Sequence, residues 1–160
     1  MSEIDGLRER VDAARRAYAA SPVRGWGELG PADERTGERW DRGNVLGHVA
    51  EMLPYWTGQA RAVLDGAAIM GRDDAGSQAR RAAIDSAHEA GEAPLLGRID
   101  AGLAELLALL AGMRDEDLAR PVTVRIAGAE ERGWDLARAI EALLVGHLEQ
   151  HLDQLGERDR

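Results

Sequence analysis

The sequence contains four histidines among 160 residues, and three of them have a spacing that suits metal binding. His147 and His151 are four residues apart, so in a helix their rings lie about 40° apart on one face. His48 lies in an earlier amphipathic segment beside Val45 and Met52, so it can also point inward. Two imidazoles on one turn and a third from another helix make a three-nitrogen site with room for water or substrate. The sequence therefore predicts a metal centre formed by His48, His147 and His151.

The same histidines have a simpler interpretation, in which they are hydrogen-bonded residues of the core. The spacing alone leaves this alternative open. It does argue against the zinc-protease helix motif, in which a glutamate directly follows the first histidine. The only nearby glutamate, Glu149, follows His147 by two residues and projects about 200° away from it. The fourth histidine, His88, lies in a weakly periodic segment and is expected to be exposed and outside the site.

Four stretches have the apolar periodicity of amphipathic helices. They predict an all-α fold, a four-helix bundle with long connections, in a single domain spanning residues 1–160. A shorter helical piece can occupy residues 79–89. The four predicted helices run from a cap at Ser2 to about residue 20, from Asp41 to about Leu64, from about Leu95 to Met113, and from about Trp134 to Leu155.

The connections are rich in glycine and proline and lack periodicity. Residues 21–40 form a loop long enough to indicate a functional role. Residues 66–78 are also expected to be a loop. Residues 115–133 contain an alternating segment at 122–126, which predicts a short strand or an extended crossover, too isolated to form a sheet.

The composition limits the classes of function. There are 20 basic and 29 acidic residues, a net charge of −9, so nucleic acid and anionic membrane surfaces are not expected partners. The chain has no cysteine, so any thiol chemistry requires a thiol from outside the protein. The N-terminal residues are charged and do not form a signal peptide, and the longest apolar run is too short to span a bilayer. We therefore expect a cytoplasmic protein.

Three side chains near His48 are further candidates. Glu51 lies one turn after it, and can be an added ligand, a second hydrogen-bonding layer around the metal, or simply a solvated glutamate. Asn44 lies one turn before it, and can orient substrate or cap the helix. Tyr55 shares its face, and can line a pocket or pack in the core. Packing is expected for Trp40, Trp56 and Trp134, and an anion-binding role for Arg42, Arg61 and Arg138 if they approach the mouth of the site.

Taken together, these segments resemble the DinB-like superfamily of metal-binding helical bundles, over nearly the whole chain. The sequence pattern most resembles the branch containing the N-terminal domain of mycothiol-dependent maleylpyruvate isomerase and the YfiT-type proteins. The resemblance rests on the tryptophan and polar residues before the second helix, a leucine-rich third helix, an acidic segment before an extended stretch, and the order of the histidines. These features are residues 40–50 with His48, the segment 115–122, and the pair His147 and His151.

The resemblance implies a divalent metal on three histidines and a bundle that is often a homodimer. It also implies an enzyme that transfers or isomerises a small electrophilic substrate with a low-molecular-weight thiol, mycothiol or bacillithiol. Three imidazoles suit zinc, nickel, copper or iron, and we expect zinc or nickel. A noncatalytic metal- or ligand-binding bundle with an accessory role is the alternative, because fold alone does not determine function.

Overall fold

The computed structural model describes residues 1–21 and 25–158, and most of them are helical. Four long helical segments alternate with short helices and three short strands. The helices are α1 (Glu3–Ala20), α2 (Arg42–Leu64), α3 (Asp74–Asp85), α4 (Ala87–Ala90), α5 (Glu92–Gly112), α6 (Asp115–Leu118), α7 (Leu136–Ile140) and α8 (Gly146–Arg158), with a π-helical segment (Glu141–Val145) between the last two. The strands are β1 (Ile69–Arg72), β2 (Pro121–Ile126) and β3 (Arg132–Asp135).

The long segments form a closed ring of contacts. Helix α1 packs against α5, α5 against α2, α2 against α8, and α8 against α1. Their apolar side chains share a core in which Val45, Leu103 and Leu144 are fully buried. The predicted all-α bundle is confirmed, with a small sheet added at one side. Among the described helices, none combines the length and apolar character required to cross a membrane.

Side-chain caps explain where the first two long helices begin. Ser2 and Asp5 form a capping box, in which each side chain accepts a hydrogen bond from the other residue's backbone. Asp41 and Asn44 form the same arrangement at the start of α2. Both starts agree with the predicted positions, because the sequence contains the capping residues directly before each apolar period.

The expectation that the alternating segment is too isolated for a sheet is wrong. Strand β2 pairs in parallel with β1, with Met70 opposite Val124, and antiparallel with β3, with Val122 opposite Trp134. Strand β1 comes from a segment that the sequence assigns to a loop, and β3 spans the boundary between the predicted connection 115–133 and the predicted last helix. Apolar side chains of the sheet, such as Met70 of β1 and Val122 of β2, are buried against the helices. This burial stabilises so small a sheet.

Residues 66–78 are likewise not a loop, since they contain β1 and the start of α3. The prediction failed because Gly71, which was interpreted as a turn residue, lies within strand β1. A Cβ at this position would lie 2.2 Å from the carbonyl oxygen of Arg125, so only glycine permits this approach of β1 to β2. Asp73 then caps α3 by accepting a hydrogen bond from the backbone of Gly76.

The last long helix begins at Leu136, two residues later than predicted, because Trp134 belongs to β3. It is also not uniformly α-helical. The π-helical segment ends where the backbone N–H of Gly146 donates to the carbonyl oxygen of Glu141, five residues earlier. The extra residue in this turn changes the rotational phase of α8, and therefore the direction of the two histidines that follow it.

Candidate metal centre

The three predicted histidines meet in space. His48 projects from α2, and His147 and His151 project from successive turns of α8. The Nε2 atoms of His48 and His147 are 3.2 Å apart. One ring nitrogen from each of the three histidines can be chosen so that all three atoms lie within 4.8 Å of one another. Residues almost one hundred positions apart in the sequence therefore form one cluster of imidazoles.

The position of α8 depends on contacts with α1. The buried hydroxyl of Tyr18 donates to the backbone carbonyl of Leu148, between the two histidines, over a distance of 3.1 Å. On the outer side, Arg10 forms hydrogen bonds with Glu141 and Glu149 at 2.6–2.9 Å. These bonds hold the π-helical turn and the first turn of α8 against α1.

Helix α3 is brought close to α2 directly beside His48. A Cβ on Gly47 would lie 2.6 Å from the Cβ of Ala87 and 2.9 Å from the carbonyl oxygen of Ala83. The missing side chain therefore lets the end of α3 and the start of α4 pack on the α2 backbone. This packing holds α3 beside the histidines, and its Arg80 lines their pocket.

The long connection before α2 forms the outer wall of the site. Ala32 and Arg39 form an isolated antiparallel bridge, and the N–H of Gly30 donates to the carbonyl oxygen of Trp40. The Trp40 ring is thus held 5.3 Å from the ring of His48 and stacks on His151 at 6.0 Å, measured between centroids. Trp40 therefore packs, as predicted, directly against the histidine cluster.

A pocket of about 440 Å³ opens in front of the imidazoles, a volume that suits a small organic molecule. Its walls combine residues of α2, α3 and α8 with the connection before α2. The lining residues are Pro31, Ala32, Asp33, Arg35, Thr36, Glu38, Trp40, His48, Arg80, His147, Gln150, His151 and Gln154.

Burial keeps the imidazoles of His48 and His147 neutral. Burial lowers the pKa of His147 to about 3, and the nearby charges of His151 and Arg80 act in the same direction. Burial also holds the pKa of His48 far below its ordinary value, with the neighbouring His151 and His147 adding to the effect. Both rings are therefore uncharged at neutral pH, which is the form that donates a lone pair to a metal.

The donor set fits a divalent metal. Ligand nitrogens at about 2.0–2.1 Å from a metal, with bond angles between about 90° and 109°, lie about 2.8–3.4 Å from one another. The separation of 3.2 Å between His48 and His147 falls in that range. In addition, Nδ1 of His48 is buried and has no hydrogen-bond partner within the described ranges, so the polar contact of this ring runs through Nε2 to His147. The assignment of the three histidines as metal ligands stays a prediction.

The three candidates near His48 lie outside this pocket. The Asn44 side chain accepts from the backbone of Asp41 and donates to the carbonyl oxygen of Ile84, which is the capping alternative. Glu51 forms a two-pronged ion pair with Arg72, at 2.7 and 3.1 Å. Tyr55 donates to the carbonyl oxygen of Gly71 and lines a different cavity beside the sheet. None of the three is among the described residues that line the histidine pocket.

The three arginines predicted to approach the mouth of the site also lie outside the histidine pocket. Arg42 is buried and pairs with Glu92 at 2.7 Å. Arg61 is exposed, and the Arg138 guanidinium lies over the Trp134 ring at 5.0 Å. Of the remaining predicted residues, Trp56 is buried in the core, and His88 is exposed as expected, where it contacts the buried carboxylate of Asp41.

Among the pocket residues that sequence reasoning missed, Arg80 and Gln154 have the clearest roles. Arg80 lies in the segment interpreted as part of a weak helix, and nothing local indicates that α3 packs beside His48. Gln154 lies three residues after His151, and its Oε1 is 3.0 Å from the Nδ1 of that histidine. The sequence does contain a signal for Gln154, because a polar residue one helical turn after a metal-binding histidine commonly orients its ring.

A helical bundle whose inward-facing histidines converge on an open pocket is compatible with the class of metal-binding bundle proteins. The DinB superfamily model matches residues 5–155, and the chain belongs to this superfamily. The resemblance drawn from the sequence is confirmed at that level, and its narrower mycothiol-dependent branch stays a prediction. No curated protein and no solved structure matches the chain significantly.

Proposed function

We propose that the protein is a metal-dependent enzyme that transfers or isomerises a small electrophilic substrate with the help of a low-molecular-weight thiol. His48, His147 and His151 would hold a divalent metal, zinc or nickel. The observation that carries the proposal is the convergence of three imidazoles on a pocket of about 440 Å³. Among the residues that the structure describes, no cysteine or carboxylate joins this cluster as a fourth ligand. Coordination positions therefore remain for a thiol, water or substrate.

When bound, such a metal lowers the pKa of a thiol or a water molecule next to it, so that the nucleophile forms at neutral pH. The chain's own residues supply the surroundings. The neutral rings of His48 and His147 leave the metal its full positive charge. Trp40 covers one side of the cluster and restricts water. Because the chain has no cysteine, the thiol must be a separate molecule, for which mycothiol or bacillithiol is our proposal from the family resemblance.

A closed site, with four ligands from the protein, would favour the noncatalytic metal-binding alternative. The obvious fourth ligand, Glu51, is engaged by Arg72 instead. Its side chain is only 14% exposed and contacts both guanidinium nitrogens, so recruiting it to the metal would leave a buried arginine unpaired. The open pocket therefore favours the enzyme.

The test is the metal content of purified wild type and of His48→Ala and His151→Ala, measured by elemental analysis after identical metal loading. We expect close to one metal ion per wild-type chain and a large loss in both variants. His88→Gln is the matched control, because it changes the one histidine outside the cluster. Equal metal content in all four proteins would contradict the proposal.

A thiol-transfer screen follows, using mycothiol or bacillithiol with small electrophiles. Activity should require the metal and disappear in His48→Ala. Full activity of the metal-free protein would exclude the proposed role of the three histidines.

A further inference from the structure

Arg80 is a cation in the histidine pocket without a full set of partners. Its side chain is 28% exposed and lies in the pocket wall beside the three imidazoles. Its closest acidic neighbour is Glu38, at 3.8 Å, which is longer than a hydrogen bond. Nothing else in ranges 1–21 and 25–158 accepts a hydrogen bond from its guanidinium. Most of its five N–H donors are therefore available to a ligand.

The other inward-facing arginines behave differently. Arg72 forms a two-pronged bond with Glu51 and also donates to the carbonyl oxygen of Gly76. Arg42 donates to Glu92 and to the hydroxyl of Ser21. Both guanidiniums stabilise the fold by joining separate elements. Arg80 has no such function, since it makes only the long contact with Glu38 and a contact with the face of Trp40.

The geometry of Arg80 suits a planar anion. Its guanidinium carbon lies 5.4 Å from the centroid of the Trp40 ring, which limits the movement of the side chain. Trp40 also stacks on His151, so one aromatic side chain contacts both the arginine and the candidate metal ligands. A guanidinium held in this way presents a fork that matches the two oxygens of a carboxylate.

The other charges of the pocket do not oppose this role. The Asp33 carboxylate accepts from the backbone of Arg35 and Thr36, so it is used within the loop. Glu38 accepts from the Thr36 hydroxyl at 3.3 Å. The carboxylates of Asp33 and Glu38 are matched by the cations Arg35 and Arg80, and a divalent metal would make the pocket positive. An anionic ligand is then favoured over a neutral or cationic one.

We propose that Arg80 is the substrate-binding residue of this pocket and that it binds a carboxylate of a small organic acid. This inference rests on the proposed function for the location of the reacting centre, and it names the substrate class. The carboxylate lies on Arg80, and the rest of the molecule extends along Trp40 toward the three histidines. Glu38 is the group that the incoming carboxylate displaces.

The test is the binding of succinate, measured by isothermal titration calorimetry on the full chain, both metal-free and metal-loaded. Wild type should bind succinate in a saturable manner and should not bind 1,4-butanediol, which has the same carbon chain without carboxylates. Arg80→Gln should weaken succinate binding by about tenfold or more, because a charge-assisted pair is lost. Arg80→Lys should fall between the two, because it keeps the charge without the fork.

Arg81→Gln is the matched control, since Arg81 is the next residue of α3 and is exposed outside the pocket. Its affinity for succinate should stay within about twofold of wild type, because the charge lost lies away from the ligand. Glu38→Gln should bind succinate more tightly, because it removes the competing carboxylate. Circular dichroism before each titration ensures that only folded variants are compared.

The proposal is overturned if wild type does not bind succinate, if Arg80→Gln binds as tightly as wild type, if Arg81→Gln weakens binding equally, or if Glu38→Gln binds more weakly. The metal-free titration keeps this test separate from that of the proposed function. A protein that takes up no metal but loses succinate binding in Arg80→Gln has the carboxylate site without the metal centre. If the protein takes up metal but wild type and Arg80→Gln bind succinate equally, the metal centre is present and the proposed carboxylate site is not.

Discussion

The two ring nitrogens of His151 have different surroundings, and this difference decides which of them can bind a metal. The Nδ1 atom lies 3.0 Å from the amide oxygen of Gln154. An amide oxygen only accepts, so this contact requires a proton on Nδ1, and in the neutral ring the lone pair is then on Nε2. Gln154 therefore selects the tautomer that a metal ligand requires, and it fixes the orientation of the ring.

Replacing Gln154 with alanine should lower the affinity for zinc by about tenfold to a hundredfold, the usual effect of losing such an orienting group. The affinity is measured by competition with a chromophoric chelator. Gln150→Ala is the control, because Gln150 lines the same pocket one turn earlier and is exposed. If Gln154→Ala and Gln150→Ala bind zinc equally well, Gln154 does not orient the ligand.

At the scale of the elements, the predictable parts of the fold are those determined by local sequence. Helix α1 buries Ile4, Leu7, Val11, Ala14 and Tyr18, the same positions that define its apolar period. The caps at Ser2 and Asp41 are also local, because each acts on a backbone N–H three residues away. The convergence of the histidines was predictable for a related reason, since an apolar stripe indicates which side of a helix faces the core.

The parts that could not be predicted depend on partners distant in the sequence. Strand β1 has four residues, and one of them is a glycine, so its own pattern is that of a turn. It becomes a strand because β2 supplies hydrogen bonds from 54 residues away, with Ile69 opposite Thr123. Arg80 was missed for the same reason, because its position depends on how α3 packs beside Gly47.

The π-helical turn gives a prediction about the element that carries two of the histidines. A Cβ at Gly146 would lie 2.9 Å from the carbonyl oxygen of Glu141, so alanine cannot occupy this position without movement of the turn. Gly146→Ala should destabilise the protein by about 1–3 kcal/mol, as overpacked sites do, and should also weaken zinc binding by shifting His147. Both effects are measured, by chemical denaturation and by chelator competition.

Gly156→Ala is the matched control for this substitution. Gly156 lies in the same helix, α8, and a Cβ added there would meet no atom within 4 Å among the described residues. Alanine should raise stability at this position by about 0.5–1 kcal/mol through its better helix propensity, without changing zinc affinity. A Gly146→Ala protein that gains stability in the same way would show that the π-helical turn does not constrain α8.

At the scale of the whole molecule, the candidate centre joins two helices that are far apart in the sequence, α2 and α8. His48 belongs to the second helix and His147 to the last, and the ring of contacts from α1 through α5 and α2 to α8 closes beside them. A metal bound by both helices links them directly. Because the unfolded chain does not hold these residues together, metal binding must favour the folded state.

Metal removal should therefore lower the melting temperature. At free metal a hundredfold above its dissociation constant, binding stabilises the fold by about 2.7 kcal/mol, and in a domain of this size each kcal/mol corresponds to about 2–4 °C. We expect chelation to lower Tm by about 5–10 °C in wild type and in His88→Gln, measured by differential scanning calorimetry. His48→Ala should show no response, because it loses the ligand that ties α2 to α8. An equal response in His48→Ala would locate the stabilising metal outside the histidine cluster.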